Sequence, residues 1–276
     1  MKILNIIIIA SIISISLLSC DKVDAPYKEE VEKPIDTTNK IHKKVLLEDF
    51  TGHKCINCPA AHEIGHDLTN IYGEDNLIIA SIHAGFYASP QNAPFDYDFR
   101  TVAGSDYANF FGVQNYPMGL VDRINDGGDY LLDVNKWGST IAQQFNETAN
   151  LGITINPNLQ VDKLSAEIKL QFVSTVSKAA SIQIWIVEDS IIKAQTTPEG
   201  DVTDYVHNHV LRKAVNGTWG ENLPATNYQN GDEETISFSD FQLGSDWVAE
   251  QLSLIVFVYD NESKRVLQVE EKKITN

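Results

Sequence analysis

The sequence predicts an α/β domain followed by an all-β domain, the second built as an antiparallel β-sandwich. Three observations carry that expectation. Between Ile41 and about Ala149, short apolar runs alternate with stretches of helical periodicity. After Ala149 the helical period stops and strand-like runs dominate. Ahead of both lie an apolar leader and a polar stretch that contribute to neither domain.

The chain has 276 residues, enough for one large or two ordinary domains. With 43% hydrophobic and 21% charged residues it is globular in composition, not disordered. Its formal net charge of −17 repels phosphate and argues against nucleic acid as a partner. The charge itself reads as solubility. Lys2 supplies a positive start, and Ile3 to Leu18 is apolar apart from Asn5 and a few serines. That run is short for a membrane span and has the flanks of a signal peptide. It closes on Leu17-Leu18-Ser19-Cys20, which resembles the lipobox of bacterial lipoproteins. The resemblance implies cleavage before Cys20 and a diacylglycerol on its sulfur. Residues 1–19 are therefore expected to be a lipoprotein signal peptide, and the membrane is expected as a partner through the lipid anchor. Residues 20–40 carry Pro26, Pro34 and many charges with no apolar period, and read as a flexible tether.

The first domain is expected over residues 41–149. Lys43 to Phe50 reads as a strand and Pro59 to Tyr72 as a helix, with Gly73 just past its end. Asn76 to His83 is a second strand, parallel to the first because a helix joins them. An aromatic, proline-containing stretch runs from Phe86 to Phe99, placed to cap what lies beside it or to cover a second hydrophobic cluster. A helix from about Thr101 to Phe111 follows. Val113 to Val121 passes from a loop into a third strand, Asn125 to Gly128 marks a hairpin turn, and Val134 to Phe145 is a closing helix. Residues 150–276 are expected to hold six to eight strands. These include Leu164–Phe172, Ile182–Ile186, Thr235–Phe238, Leu252–Tyr259 and Val266–Ile274.

The chemistry concentrates in Asp49-Phe50-Thr51-Gly52-His53-Lys54-Cys55-Ile56-Asn57-Cys58. A buried strand feeds two cysteines at the mouth of a helix, where unpaired N–H groups and the positive end of the dipole stabilise a thiolate. If Cys20 is acylated, Cys55 and Cys58 remain as one pair. The loop they close is too small for the bond to staple a fold. Cys55 is the expected exposed nucleophile, its pKa lowered by the helix end and by His53 and Lys54. Cys58 is the expected resolving thiol, and Asp49 its proton acceptor.

Two metal patterns compete with this reading. His62-Glu63-Ile64-Gly65-His66 matches the five-residue zincin pattern, but a third ligand at the usual spacing is missing, so coincidence on a helical face is preferred. Cys55, Cys58, His62 and His66 share one helical stripe but span ~16 Å, so one ion cannot touch all four, although the first three suit zinc or copper(I). His207 and His209 lie two apart and read as exposed strand histidines before they read as ligands. No metal and no cofactor is expected.

The first domain resembles thioredoxin. Asp49 and Phe50 stand six and five residues before the first cysteine, as the buried aspartate and its aromatic neighbour do there, and Tyr116-Pro117 is placed to be the cis-proline loop that faces the disulfide. The resemblance implies that Pro117 holds the backbone of Tyr116 open for a substrate segment. The intervening residues differ from thioredoxin's own. More specifically, the whole chain is similar to the Omp-28-related outer-membrane lipoproteins of Bacteroidetes. The marks are Glu48-Asp49-Phe50-Thr51-Gly52 with Cys-x-x-Cys-Pro-Ala-Ala-His, Tyr205 to Arg212, and Asn216 to Glu221. That similarity implies a thioredoxin-like domain, an immunoglobulin-like β-sandwich and an outer-membrane location. The leading expectation is thiol–disulfide exchange, with protein thiols and disulfides of the cell envelope as partners. The alternative is a surface binding or adhesion lipoprotein that uses the first domain only as a scaffold.

Overall fold

Val45–Thr51 is an uninterrupted buried run and forms β1, the strand from which the functional region is built. The computed structural model of the protein describes residues 41–125 and 127–275. The expected signal peptide (1–19), tether (20–40) and lipidation site Cys20 lie outside the described residues. From Cys58 to Tyr72 the chain forms α1, opened by Pro59, whose missing N–H costs nothing at a helix start, and closed by Gly73 at φ 90°. Leu77–His83 is β2, parallel to β1 in the register Val45–Leu77 to Thr51–His83. Val102–Phe111 is α2, capped by the Thr101 hydroxyl, which accepts the Gly104 N–H at 2.9 Å. Met118–Val121 is β3, antiparallel to β1. The hairpin expected after it shrinks to a single bridge between Gly119 and Leu132. Val134–Gln144 is α3.

The second half supplies β4 (Leu151–Gln160), β5 (Lys163–Phe172), β6 (Ala180–Glu188), β7 (Ile191–Thr197), β8 (Gly200–His207), β9 (Val210–Ala214), β10 (Glu221–Asn222), β11 (Glu233–Gln242), β12 (Leu252–Asp260) and β13 (Val266–Lys273). They do not form a separate sandwich. Strands from both halves share one eight-stranded mixed sheet in the order β13-β12-β6-β9-β2-β1-β3, with β10 added to β6. The junction is the parallel pairing of β2 with β9 at Ser81–Val210. A three-stranded sheet, β11-β5-β4, covers part of one face, and β7-β8 form a two-stranded hairpin.

The expected fold class, a thioredoxin-like α/β domain followed by an immunoglobulin-like sandwich, is thus overturned. Among the described residues there are three α-helices against thirteen strands, and the sheets are mixed. The reason lies in β6 and β12, which are buried at every position. Ile182, Ile184, Ile186, Leu254 and Val256 point into a core with β4 and β5. The alternate residues Trp185, Val187, Ile255, Phe257 and Tyr259 point the other way, into a core with Leu46, Phe50, Ile78, Ile82 and Tyr107. Such strands are central strands covered on both faces. A sequence pattern reports that a face is buried but not which part of the chain buries it.

Candidate functional site

β1 delivers the chain into the loop Gly52-His53-Lys54-Cys55, and α1 begins at Cys58. Cys55 and Cys58 are joined as a disulfide. The helix start has no side-chain cap from Asn57; the Cys58 N–H donates to the Cys55 carbonyl at 3.3 Å, and Pro59 has no N–H to offer. Ile56 is exposed, but Cys55 is only 3% exposed and Cys58 is fully buried. The expectation that Cys55 stands open to solvent is therefore corrected.

The cover comes from a distant part of the chain. The β7–β8 hairpin lies over the loop: the Gln195 amide donates to the Cys55 carbonyl at 3.0 Å, and the Thr196 N–H donates to the His53 carbonyl at 2.8 Å. On the other flank, Lys54 N–H donates to the Tyr87 carbonyl at 3.1 Å, so the aromatic segment walls the loop. Gly52 allows this approach, because a Cβ there would lie 2.6 Å from the Tyr87 backbone. Tyr87 in turn meets Tyr116 edge-on at 5.8 Å, and the Tyr116–Pro117 bond is cis. The loop containing Tyr116 and Pro117 is thereby linked to the cysteine loop through one residue.

His53 does not supply the expected positive charge. It is buried edge-on between Phe95 and Phe99, and desolvation pushes its pKa down. Lys54 sits with its ammonium 4.2 Å from the Phe86 ring centre. Asp49 is buried on β1, and burial raises its pKa to about 8, so at neutral pH it is a carboxylic acid. Its Oδ1 has no hydrogen-bond partner, and its Oδ2 lies 3.5 Å from His62 Nε2. His62 stands one helical turn after Cys58, on the same face of α1. Desolvation lowers its pKa to about 4, so the Asp49–His62 contact joins two neutral groups. The imidazole bridges three elements, with Nε2 2.9 Å from the Thr51 hydroxyl on β1 and Nδ1 2.9 Å from the Tyr205 hydroxyl on β8.

Asp49, His62 and Tyr205 open onto a cleft of about 410 Å³, lined also by Leu47, Ile79, Trp137, His83 and His207. His62, Glu63 and His66 of the zincin-like pattern all line this cleft, but Glu63 and His66 are exposed, and the His66 ring bonds Asn70. Among the described residues no three His, Cys, Asp or Glu side chains stand together as a ready metal-binding group. His207 and His209 do not share a strand face. His207 ends β8 with 1% exposure, whereas His209 lies in the following turn at φ 56° against Asp189. His83, Gln195 and Tyr205 were not legible as site residues. Only the strand-terminal position of His83 and the Tyr-x-His alternation hinted at them.

A family model described as outer membrane protein Omp28 matches residues 104–276, more than half of the chain. The cysteine loop precedes the matched residues. Among solved structures, HBP35 of Porphyromonas gingivalis is similar at 16% identity and a TM-score of 0.64, covering 85% of this chain and 76% of that one. A domain of the outer membrane lipoprotein Omp28 from Porphyromonas gingivalis is similar at 26% identity, covering 46% of this chain and 88% of that one, with a TM-score of 0.33. Among curated protein sequences there is no match. On the family match, the chain belongs to the Omp28 family of outer-membrane proteins and is an outer-membrane protein of the cell envelope.

Proposed function

We propose that this outer-membrane protein, anchored through lipid on Cys20, carries out thiol–disulfide exchange at Cys55–Cys58 on envelope or secreted proteins. The observation that carries the reading is the buried, neutral Asp49 on the strand beneath the helix that Cys58 opens. In the disulfide state, an incoming thiolate from a dithiol donor attacks Cys55 Sγ. The Cys55–Cys58 bond breaks, and the Cys58 thiolate takes the Asp49 proton, directly or through water. A second thiolate of the donor then attacks the donor sulfur of the mixed disulfide and releases Cys55 as a thiolate, which takes a proton from water. The donor leaves oxidised, and the protein holds two thiols. Run in reverse, Cys55 attacks a substrate disulfide and Asp49 takes the proton from Cys58. Tyr116 and Pro117 shape the wall along which the substrate segment lies.

The rate constant for disulfide reduction, expressed per attacking thiolate, is expected to be flat below pH 8 and to fall above it, as Asp49 ionises. Asp49→Asn should abolish that inflection and slow the step by roughly 100-fold. Stopped-flow reduction over pH 6 to 10 is the measurement. An unchanged profile in the variant removes Asp49 from the chemistry.

One observation favours the scaffold reading instead, namely the hairpin seated on Cys55, which leaves it 3% exposed. If mild reduction followed by alkylation leaves Cys55 unmodified for hours, and insulin disulfides are not reduced, the protein is a binding lipoprotein with a static disulfide.

A further inference from the structure

We propose that His83 and His207, in the cleft beside β8, bind a monovalent copper ion. The site is independent of the cysteine pair. It starts from an imbalance in hydrogen bonding. His83 is 2% exposed and His207 1% exposed, and none of their four ring nitrogens makes a well-formed hydrogen bond, although backbone groups of Ser81 lie near His83 and those of Lys193 and Ala194 near His207. A buried polar group without a good partner is costly, and an ion shared by the two rings would take one nitrogen from each. Both side chains line the cleft, which gives an ion a way in.

The geometry suits a shared ion. A metal–imidazole bond of about 2.0–2.1 Å puts each ring centre roughly 3.2 Å from the ion, so two rings on one ion lie within roughly 6.4 Å of each other. The centroids of His83 and His207 are 5.6 Å apart. Phe99 packs on both rings, at 4.5 Å from His83 and 4.6 Å from His207, and fixes their positions.

The donor set selects the charge. Imidazole nitrogens suit copper, zinc and nickel. A divalent ion wants four ligands and compensating carboxylates, whereas the carboxylates that line the cleft beside Asp49, those of Glu63 and Asp67, belong to exposed residues of α1. Burying one positive charge costs far less than burying two, and a monovalent copper ion is satisfied by two or three neutral donors. The lack of any three-donor cluster among the described residues accords with a two-imidazole site.

The test uses the full chain with Cys55→Ala and Cys58→Ala, titrated anaerobically with Cu(I) against a chromogenic chelator. The expected result is one tightly held ion, at the same affinity as in the unsubstituted chain. His83→Phe and His207→Phe should each weaken it by at least about tenfold, while His42→Ala, exposed and outside the cleft lining, leaves it unchanged. Phenylalanine fills the ring volume at both positions. Should a variant fail to fold, X-ray absorption of the wild-type Cu(I) complex decides the matter, with nitrogen neighbours and no sulfur expected. No binding, loss of binding with the cysteines, sulfur in the ligand shell, or equal affinity for Zn(II) would each overturn the proposal. None of these outcomes bears on disulfide exchange, which is read from the cysteines.

Discussion

Arg123 is the residue on which the described structure turns most sharply. It is fully buried and clamps Glu48 of β1 with two bonds, Nε to Oε1 at 2.6 Å and Nη2 to Oε2 at 3.0 Å. Around its guanidinium stand the rings of Tyr107 and Phe257, with centres 5.1 and 5.0 Å away. Asp122 and Arg123 both adopt positive φ, at 47° and 50°, which turns the chain so that the arginine enters the core directly after β3. Removing one partner leaves a buried charge unpaired, so Arg123→Met should destabilise the protein by about 3–5 kcal/mol. Replacing both, as Glu48→Leu with Arg123→Met, should cost clearly less than the single change. Urea midpoints of the two variants check this, and an additive result would mean that the pair does not act as a unit. Nothing in the sequence singled out Arg123, because an arginine after a strand looks the same whether it turns outward or inward. Asp49 was legible, since its spacing to Cys55 and its place on an apolar strand needed no tertiary information. The lack of a well-formed hydrogen bond at His83 was not, because a missing partner is a property of the assembled core.

The β7–β8 hairpin decides how the disulfide is reached. Its outer surface is largely exposed, with Ile192 at 61% and Val206 at 47%. Its hold rests on named bonds from Gln195 and Thr196 to the cysteine loop and from Tyr205 to His62 on α1. A neutral hydrogen bond contributes about 0.5–1.5 kcal/mol net. Gln195→Ala should therefore favour the lifted hairpin and raise the alkylation rate of reduced Cys55 by roughly tenfold. A rate unchanged from wild type would show that the hairpin does not limit access. The helices were readable from periodicity to within a residue or two, as at Pro59–Tyr72 against the observed Cys58–Tyr72, but β4, β7, β8, β9 and β10 were not delimited, and ten strands follow Ala149 where six to eight were expected. The role of the hairpin as a cover was not readable either. Its strands alternate like any half-buried ribbon, and the contacts from Gln195 to the cysteine loop span 140 residues of sequence.

At the level of the whole molecule, the cores on the two faces of the large sheet are tied together by β6 and β12, which contribute alternate side chains to each. Neither core can open without stripping one face of those strands. The N-terminal strands also depend on the C-terminal half of the chain: β2 has its outer edge filled by β9, and the Val266 N–H at the start of β13 donates to the Asp122 carbonyl at 2.9 Å. A chain ending at Ala149 would leave Leu46, Phe50, Ile78 and Ile82 without Trp185, Phe257 and Tyr259 to pack against. That fragment is expected to lack stable tertiary structure. The chain from Ile41 onward is expected to unfold in one cooperative step. Native-state hydrogen exchange is the direct measurement, because it reads each strand separately. Amides of β1 and β2 should show the same opening free energy as those of β6 and β12, and that value should equal the global one. A lower plateau confined to β1, β2 and β3 would mean that the N-terminal segment opens by itself, and that the shared sheet is a docked contact between two independently stable halves.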